Sequence, residues 1–272
     1  MMQPAGVRGS TNRPIITLTS DFGEDGFYLG AMRGVLLSHC PEAVLVDITH
    51  SVTPFSPLEG SFILSQATRT FPPGTVHLAV IDPGVGGVRK PIFLSVGGSY
   101  YVGPDNGLFT PFLDEADAAY RIREEAAALP HRSFTFDGRD LFAPVAARLA
   151  RGEDPESIGE PTHQAARLHI PRPRRDGAVL LGQVLYSDRF GNLITNIREQ
   201  DLSFYEDGLE VWVGTYRLGP LRRTYEEAAL GEALVLVGSS GHLEVAVFRG
   251  SASAQLGVGR GERIRVCSLA PA

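Results

Sequence analysis

Apolar positions in the first half of the chain fall into short runs separated by helically spaced segments. Ile15, Ile16 and Leu18 form one run, Val44 to Ile48 a second, and Val76, Leu78, Val80 and Ile81 a third. Short, strongly apolar runs bounded by polar turns are typical of buried strands in α/β proteins. Between them, residues 26–39 carry Phe27, Leu29, Met32, Leu36 and Leu37 at helical spacing, and residues 58–71 suit a second helix. The resulting order β-α-β-α-β implies right-handed crossovers and a mostly parallel sheet flanked by helices. Residues 92–96 and 100–102 alternate around Gly97-Gly98 and predict a hairpin, and residues 141–150 predict an apolar helix that Asp140 is expected to cap. Residues 115–130 are charged and alanine-rich, and their pattern assigns no element.

The pattern changes across residues 161–176, where Pro171, Pro173 and three arginines break both periodicities. Short strand candidates follow at 179–186, 193–197, 209–213, 233–237, 243–247 and 263–266, which predict a small antiparallel β-barrel or sandwich. The expected organisation is an N-terminal α/β domain over 13–170, a linker at 171–176, and a C-terminal all-β, barrel-like domain over 177–270. The small, polar residues 1–12 are expected to form a mobile arm.

With 272 residues, 43% of them hydrophobic and 21% charged, the chain can bury two ordinary cores. A net charge of −6 offers no basic footprint for nucleic acid, and Arg172, Arg174 and Arg175 read as a solvated linker. No leader and no apolar stretch of about 18 residues is evident, so no membrane partner is expected. Cys40 and Cys267 are far apart, which fits a reduced, cytoplasmic setting. The 7 histidines show no ligand spacing, and neither CxxC nor HExxH occurs, so no metal is expected.

Candidate chemistry gathers at strand ends, where open α/β sheets bind ligands. Asp21 follows the first strand, where it either caps the next helix or accepts hydrogen bonds from ligand hydroxyls. His50 and Phe55 lie in the loop after the second strand. Asp82 ends the third, and glycines 84, 86 and 87 free the backbone of a loop that brings Arg89 back toward it. This loop fits neither GxxxxGK[ST] nor GxGxxG. Asp105 and Asn106 form a further acidic turn. In the second half, Asp188, Phe190 and Asn192 fill one loop and Ser239 another.

Taken together, TSDFG at 19–23, HSVTPF at 50–55, DPGVGGVRK at 82–90, PDNG at 104–107, TFDGRD at 135–140 and DRFGN at 188–192 resemble the S-adenosyl-L-methionine hydroxide adenosyltransferases, relatives of fluorinases and chlorinases. The resemblance implies an N-terminal α/β domain, a C-terminal β-barrel domain, and a homotrimer binding its substrate between one subunit's N-domain and its neighbour's C-domain. It implies that Asp21 holds the ribose hydroxyls, Phe55 stacks near the adenosine, Asp188 meets the methionine ammonium, and Phe190 and Asn192 contact adenine. Asp105 and Asn106 join the substrate contacts, as do Ser239 and the backbone near Ser251 and Ala252.

The implied reaction turns S-adenosyl-L-methionine into adenosine and methionine. Its sulfonium is already a good leaving group, so attack of water or hydroxide on the ribose 5′ carbon needs positioning and proton removal rather than a metal or further cofactor. Asp82 and Arg89 match the first two members of the family's catalytic Asp-Arg-His set. Asp137 stands where the third, the histidine of TFHGRD, is usual, and Asp137→His is expected to preserve or raise activity. Halide attack is disfavoured, because an anionic Asp82 repels an incoming anion. A non-catalytic S-adenosylmethionine or adenosine-binding protein is the alternative outside catalysis. A metal-dependent hydrolase built on Asp21, Asp82 and Asp105 is a third reading, marked by loss of activity on chelation.

Overall fold

A computed structural model describes residues 13–205 and 208–268. The arm expected at residues 1–12 and the end of the expected C-terminal domain, residues 269 and 270, lie outside the described residues. Two compact units meet in sequence between Leu168 and His169.

The first unit is built on the apolar runs. Strands β1 (Ile15–Ser20), β2 (Val44–Thr49) and β3 (Val76–Val80) are separated by helices α1 (Tyr28–His39) and α2 (Pro57–Ala67). Every residue of β3 is buried. Val76, Leu78 and Val80 face a core shared with Met32 and Leu36 of α1, whereas Ala79 and the following Ile81 join a second core with Leu64 of α2. The alternation of a strand thus fills a core on each face of the sheet.

The expected hairpin is β4 (Pro91–Val96) and β5 (Ser99–Pro104), closed by Gly97 and Gly98 with φ of 54° and 80°. A two-residue turn with both φ positive matches the twist of the flanking strands, and glycine adopts it without steric cost. The segment without an assigned element holds β6 (Ala118–Ile122) and the short α3 (Glu124–Ala127). A π-helical turn, Gly138–Phe142, then leads into α4 (Ala143–Ala150), followed by α5 (Pro155–Ile158) and β7 (Gly159–Pro161). Sheet order is β2-β1-β3-β5-β4-β6-β7: parallel from β2 to β5, antiparallel from β5 to β7.

Asp140 does not cap α4. The winding begins earlier, at Gly138, so Asp140 lies inside the first helical turn, and its carboxylate accepts hydrogen bonds from the Ser133 amide (2.7 Å) and Arg139 Nε (2.6 Å).

The second unit is one curled, mostly antiparallel half-barrel sheet. Its strands are β8 (Arg174–Asp176), β9 (Val179–Ser187), β10 (Leu193–Arg198), β11 (Leu209–Val213), β12 (Tyr216–Arg217), β13 (Leu221–Arg222), β14 (Ala233–Val237), β15 (His242–Val247) and β16 (Arg263–Ser268). They run in the order β12-β11-β16-β9-β10-β15-β14-β13, and β8, from the segment read as linker, pairs with β9. Val184, Leu193, Ile197, Val211, Val245 and Ile264 fill the concave core, and α6 (Ala252–Leu256) packs Ala252 and Leu256 into it.

Candidate active site

Strand β3 ends at Val80, and two residues later the Asp82 carboxylate is fixed by the loop that follows it. Arg89 Nε lies 3.1 and 3.0 Å from the two Asp82 oxygens, and its Nη2 lies 2.5 Å from Oδ2. The loop reaches this closure through its glycines. Gly86 has φ +73°, and a Cβ there would stand 2.3 Å from the Phe134 carbonyl oxygen; one on Gly84 would press Arg89 Cγ at 3.3 Å. From the other side, Asn106 donates from Nδ2 to the Ile81 carbonyl at 2.8 Å, tying the turn after β5 to the residue before Asp82.

Asp137 joins this pair. Arg89 Nη2 also donates to Asp137 Oδ2 at 2.5 Å, so one guanidinium nitrogen bridges both carboxylates. The Asp82 and Asp137 side chains are only 5% and 1% exposed, and the guanidinium lies over the Phe142 ring at 5.4 Å. Burial by itself would lower the pKa of Arg89, yet hydrogen bonds and charge from Asp82 and Asp137 raise it on balance, so it stays a cation. The other Asp137 oxygen belongs to Arg132, whose Nε and Nη2 both lie at 2.8 Å, and Arg132 Nη1 pairs outward with Glu124. Arg132 and Glu124 escaped the sequence reading: Arg132 sits in a loop with no motif, five positions before Asp137.

The end of β1 carries a second arrangement. Asp21 Oδ2 accepts the Phe55 amide at 2.9 Å, and Phe55 has a φ of 64°, unusual for a bulky residue, with its ring 74% exposed. Strained backbone held by a specific partner recurs at ligand sites. Asp21 caps no helix here, since α1 begins after Phe27 without a side-chain cap. His50 is a buried loop residue, its Nδ1 2.7 Å from Ser20 Oγ. Asp105 accepts the Ala166 amide at 2.7 Å, and burial pushes its carboxyl above the usual range. Asp21, Asp82 and Asp105 thus each hold a different protein donor, and among the described residues no group of three or more His, Cys, Asp or Glu side chains is placed to bind a metal ion.

In the second unit the β9–β10 turn is organised by Asp188. Its Oδ1 accepts the amides of Phe190 and Asn192, each at 2.9 Å, and its Oδ2 accepts Asn192 Nδ2 at 3.0 Å. This folding leaves Phe190 76% exposed. Gly191, φ +83°, lies so close to Ser251 that a Cβ would meet its Oγ at 2.0 Å, and Ser253 N donates to the Gly191 carbonyl at 2.9 Å. Ser251, which N-caps α6, and Ala252 are therefore brought beside the Asp188–Asn192 loop. Glu244 is a further buried acid near Ser239: its Oε1 accepts the Tyr225 hydroxyl at 2.6 Å, and a Cβ on Gly238 would meet Oε2 at 2.4 Å. Burial raises the Glu244 carboxyl, and Asp188 adds to the shift.

A concavity lined by Arg260, Arg263 and Arg265 in the second unit, and another lined by Asp117, His163 and Arg167 in the first, contain none of these residues. Residues 16–159 match the profile of the SAM hydroxide adenosyltransferase N-terminal domain, and residues 182–265 that of the SAM hydroxide adenosyltransferase C-terminal domain. An (R)-S-adenosyl-L-methionine hydrolase of Thermus thermophilus is 38% identical over 263 residues, covering 93% of this chain and 99% of the relative. A fluorinase of Actinoplanes sp. is 29% identical over 274 residues, covering 87% of this chain and 92% of its own. Among solved structures, an uncharacterized conserved protein from Thermotoga maritima superposes with a TM-score of 0.86 at 36% identity, over 93% of this chain and 99% of that one.

Proposed function

The chain belongs to the SAM hydroxide adenosyltransferase family, and on that footing we propose that it hydrolyses S-adenosyl-L-methionine to adenosine and L-methionine. The observation that carries this reading is the buried Asp82–Arg89 pair beyond the end of β3. In the reaction, water or hydroxide attacks the ribose 5′ carbon in line with the departing sulfur, one C–O bond forms as the C–S bond breaks, and Asp82 takes the proton of the attacking water. Arg89 fixes the Asp82 carboxylate, and Asp137 anchors Arg89 from its other side. Asp82, near the attacked carbon, disfavours a halide nucleophile.

Asp21 accepts from the ribose hydroxyls with the lone pairs that the Phe55 amide leaves open, and the Phe55 ring stacks near the adenosine. Asp105 and Asn106 join the substrate contacts, Asn106 from a turn tied to Ile81 beside Asp82. Asp188 meets the methionine ammonium, Phe190 and Asn192 meet adenine, and Ser239, Ser251 and Ala252 complete the contacts. Because these groups divide between the two units, the proposed assembly is a homotrimer in which one subunit's N-terminal unit faces its neighbour's C-terminal unit. Sedimentation equilibrium tests it; a monomer that turns over substrate would refute it. The proposed setting is the cytoplasm, and among the described residues no helix is long and apolar enough to cross a membrane.

The double engagement of Asp137 by guanidinium groups supports a second reading, a protein that binds S-adenosylmethionine without converting it, because a carboxylate held by two arginines stands where the family usually has a histidine. Incubation with S-adenosylmethionine and a chelator in oxygen-18 water separates the two. Adenosine carrying the heavy oxygen, in excess over protein, supports hydrolysis without a metal. Recovery of intact ligand supports the binding protein instead.

A further inference from the structure

We propose that Arg132 is a positioning residue for the reaction: it neutralises Asp137, and thereby keeps Arg89 committed to Asp82. This rests on the assignment of Asp82 and Arg89 as the acting pair.

Arg89 carries one positive charge and contacts two carboxylates. It reaches Asp82 through Nε and Nη2 and Asp137 through Nη2 alone. Both carboxylates are nearly inaccessible, so neither can be neutralised by solvent. Arg132 supplies the missing cation, with Nε and Nη2 on Asp137 Oδ1. Charges then alternate along a line: Asp82, Arg89, Asp137, Arg132, and Glu124 at the half-exposed outer end. The adjacent Arg139 and Asp140 pair with each other, and Asp140 also feels the charge of Arg132 without a hydrogen bond to it.

Removing Arg132 would leave Asp137 buried with half a counter-charge. A lone buried carboxylate is costly, and the nearest cation that can respond is Arg89. Its guanidinium would turn toward Asp137, and Asp82 would lose the Nε contacts that orient it. The loss would fall on the chemical step more than on binding, because Arg132 has no assigned contact with substrate.

The test uses the full-length protein with Arg132→Met, Arg132→Lys and the double variant Arg132→Met/Asp137→Asn. Each is crystallised, and its kcat, KM and kcat–pH profile are measured with S-adenosylmethionine. For Arg132→Met we expect kcat to fall by about tenfold or more with KM changed by less than about threefold. The acid limb of its profile should move to higher pH, and Arg89 Nε should leave hydrogen-bond range of Asp82. Arg132→Lys, which keeps the charge, should retain the wild-type profile. The double variant removes the uncompensated anion at the cost of one charged anchor of Arg89, so its kcat should stay below wild type yet exceed that of Arg132→Met, a coupling that a merely structural arginine does not produce. An Arg132→Met crystal structure with Arg89 unmoved, or a profile superimposable on wild type, would overturn the proposal whatever happens to thermal stability. If the wild-type protein releases no adenosine, the hydrolase reading fails, and the variant crystal structures still decide whether Arg132 holds Arg89 in place.

Discussion

At the scale of single residues, the proposed chemistry rests on Asp82 and Arg89. Asp82→Ala or Arg89→Ala is expected to lower kcat by about 10²-fold or more, the range of a lost proton acceptor. Calorimetric affinity for S-adenosylmethionine should stay within about threefold, because ribose, adenine and methionine are assigned to other groups. Wild-type rates in both variants would remove the pair from the reaction. The surroundings of Asp137 also revise an expectation drawn from sequence. An imidazole at 137 would face Arg89 and Arg132 with one anion fewer, so Asp137→His by itself is expected to lose activity rather than gain it. Asp82 and Arg89 were legible because a strand end and a glycine loop keep them seven positions apart. Arg132 was not: its partnership depends on how a motif-free loop folds back, which no periodicity records.

At the scale of elements, the loop at 82–90 carries the most testable geometry. Gly86→Ala must place a methyl against the Phe134 carbonyl at a backbone angle that alanine disfavours. Its expected effect is a fall in kcat of about tenfold or more with only a few degrees of change in Tm, since the atoms nearest the added methyl belong to the exposed Phe134. A cooperative loss of fold in thermal scans would instead make the glycine a requirement of the scaffold. Strands β1, β2 and β3 were readable because their apolar runs end in polar turns. β6 was not, because four of its five residues are only partly buried or exposed, and neighbouring α3 is a single turn. The π-helical turn at Gly138–Phe142 escaped as well: it moves the start of winding ahead of Asp140, and an apolar pattern with a preceding acid reads the same either way.

At the scale of the whole molecule, stability should carry the mark of one buried histidine. His77 lies in β3 with Nδ1 2.8 Å from Thr17 Oγ1, its ring centroid 4.7 Å from that of Tyr101, and burial pushes its pKa down to about 4. The folded chain keeps His77 neutral down to about pH 4, whereas the unfolded chain protonates it near the ordinary histidine value of 6.5. Its contribution is therefore complete above pH about 6.5 and is lost as pH falls toward about 4, by on the order of 3 kcal/mol. Urea unfolding at pH 7 and 4.5 measures this, and His77→Gln should narrow the difference; an unchanged difference would exclude His77 as its source. The division into an α/β half and a β half was plain in sequence, because periodicity changes where proline and arginine interrupt it. Within the first sheet, the antiparallel pairing of β4 with β5 was signalled by Gly97-Gly98, whose turn sends β5 back beside β3. The alternating line from Asp82 to Glu124 has one more consequence, for the medium in which the protein works. Mobile counter-ions reach Glu124 but not Asp82, so added salt, which weakens exposed ion pairs over about 10 Å at 0.1 M, leaves the inner contacts unscreened. Catalysis by such a site should hold its rate from dilute buffer into brine.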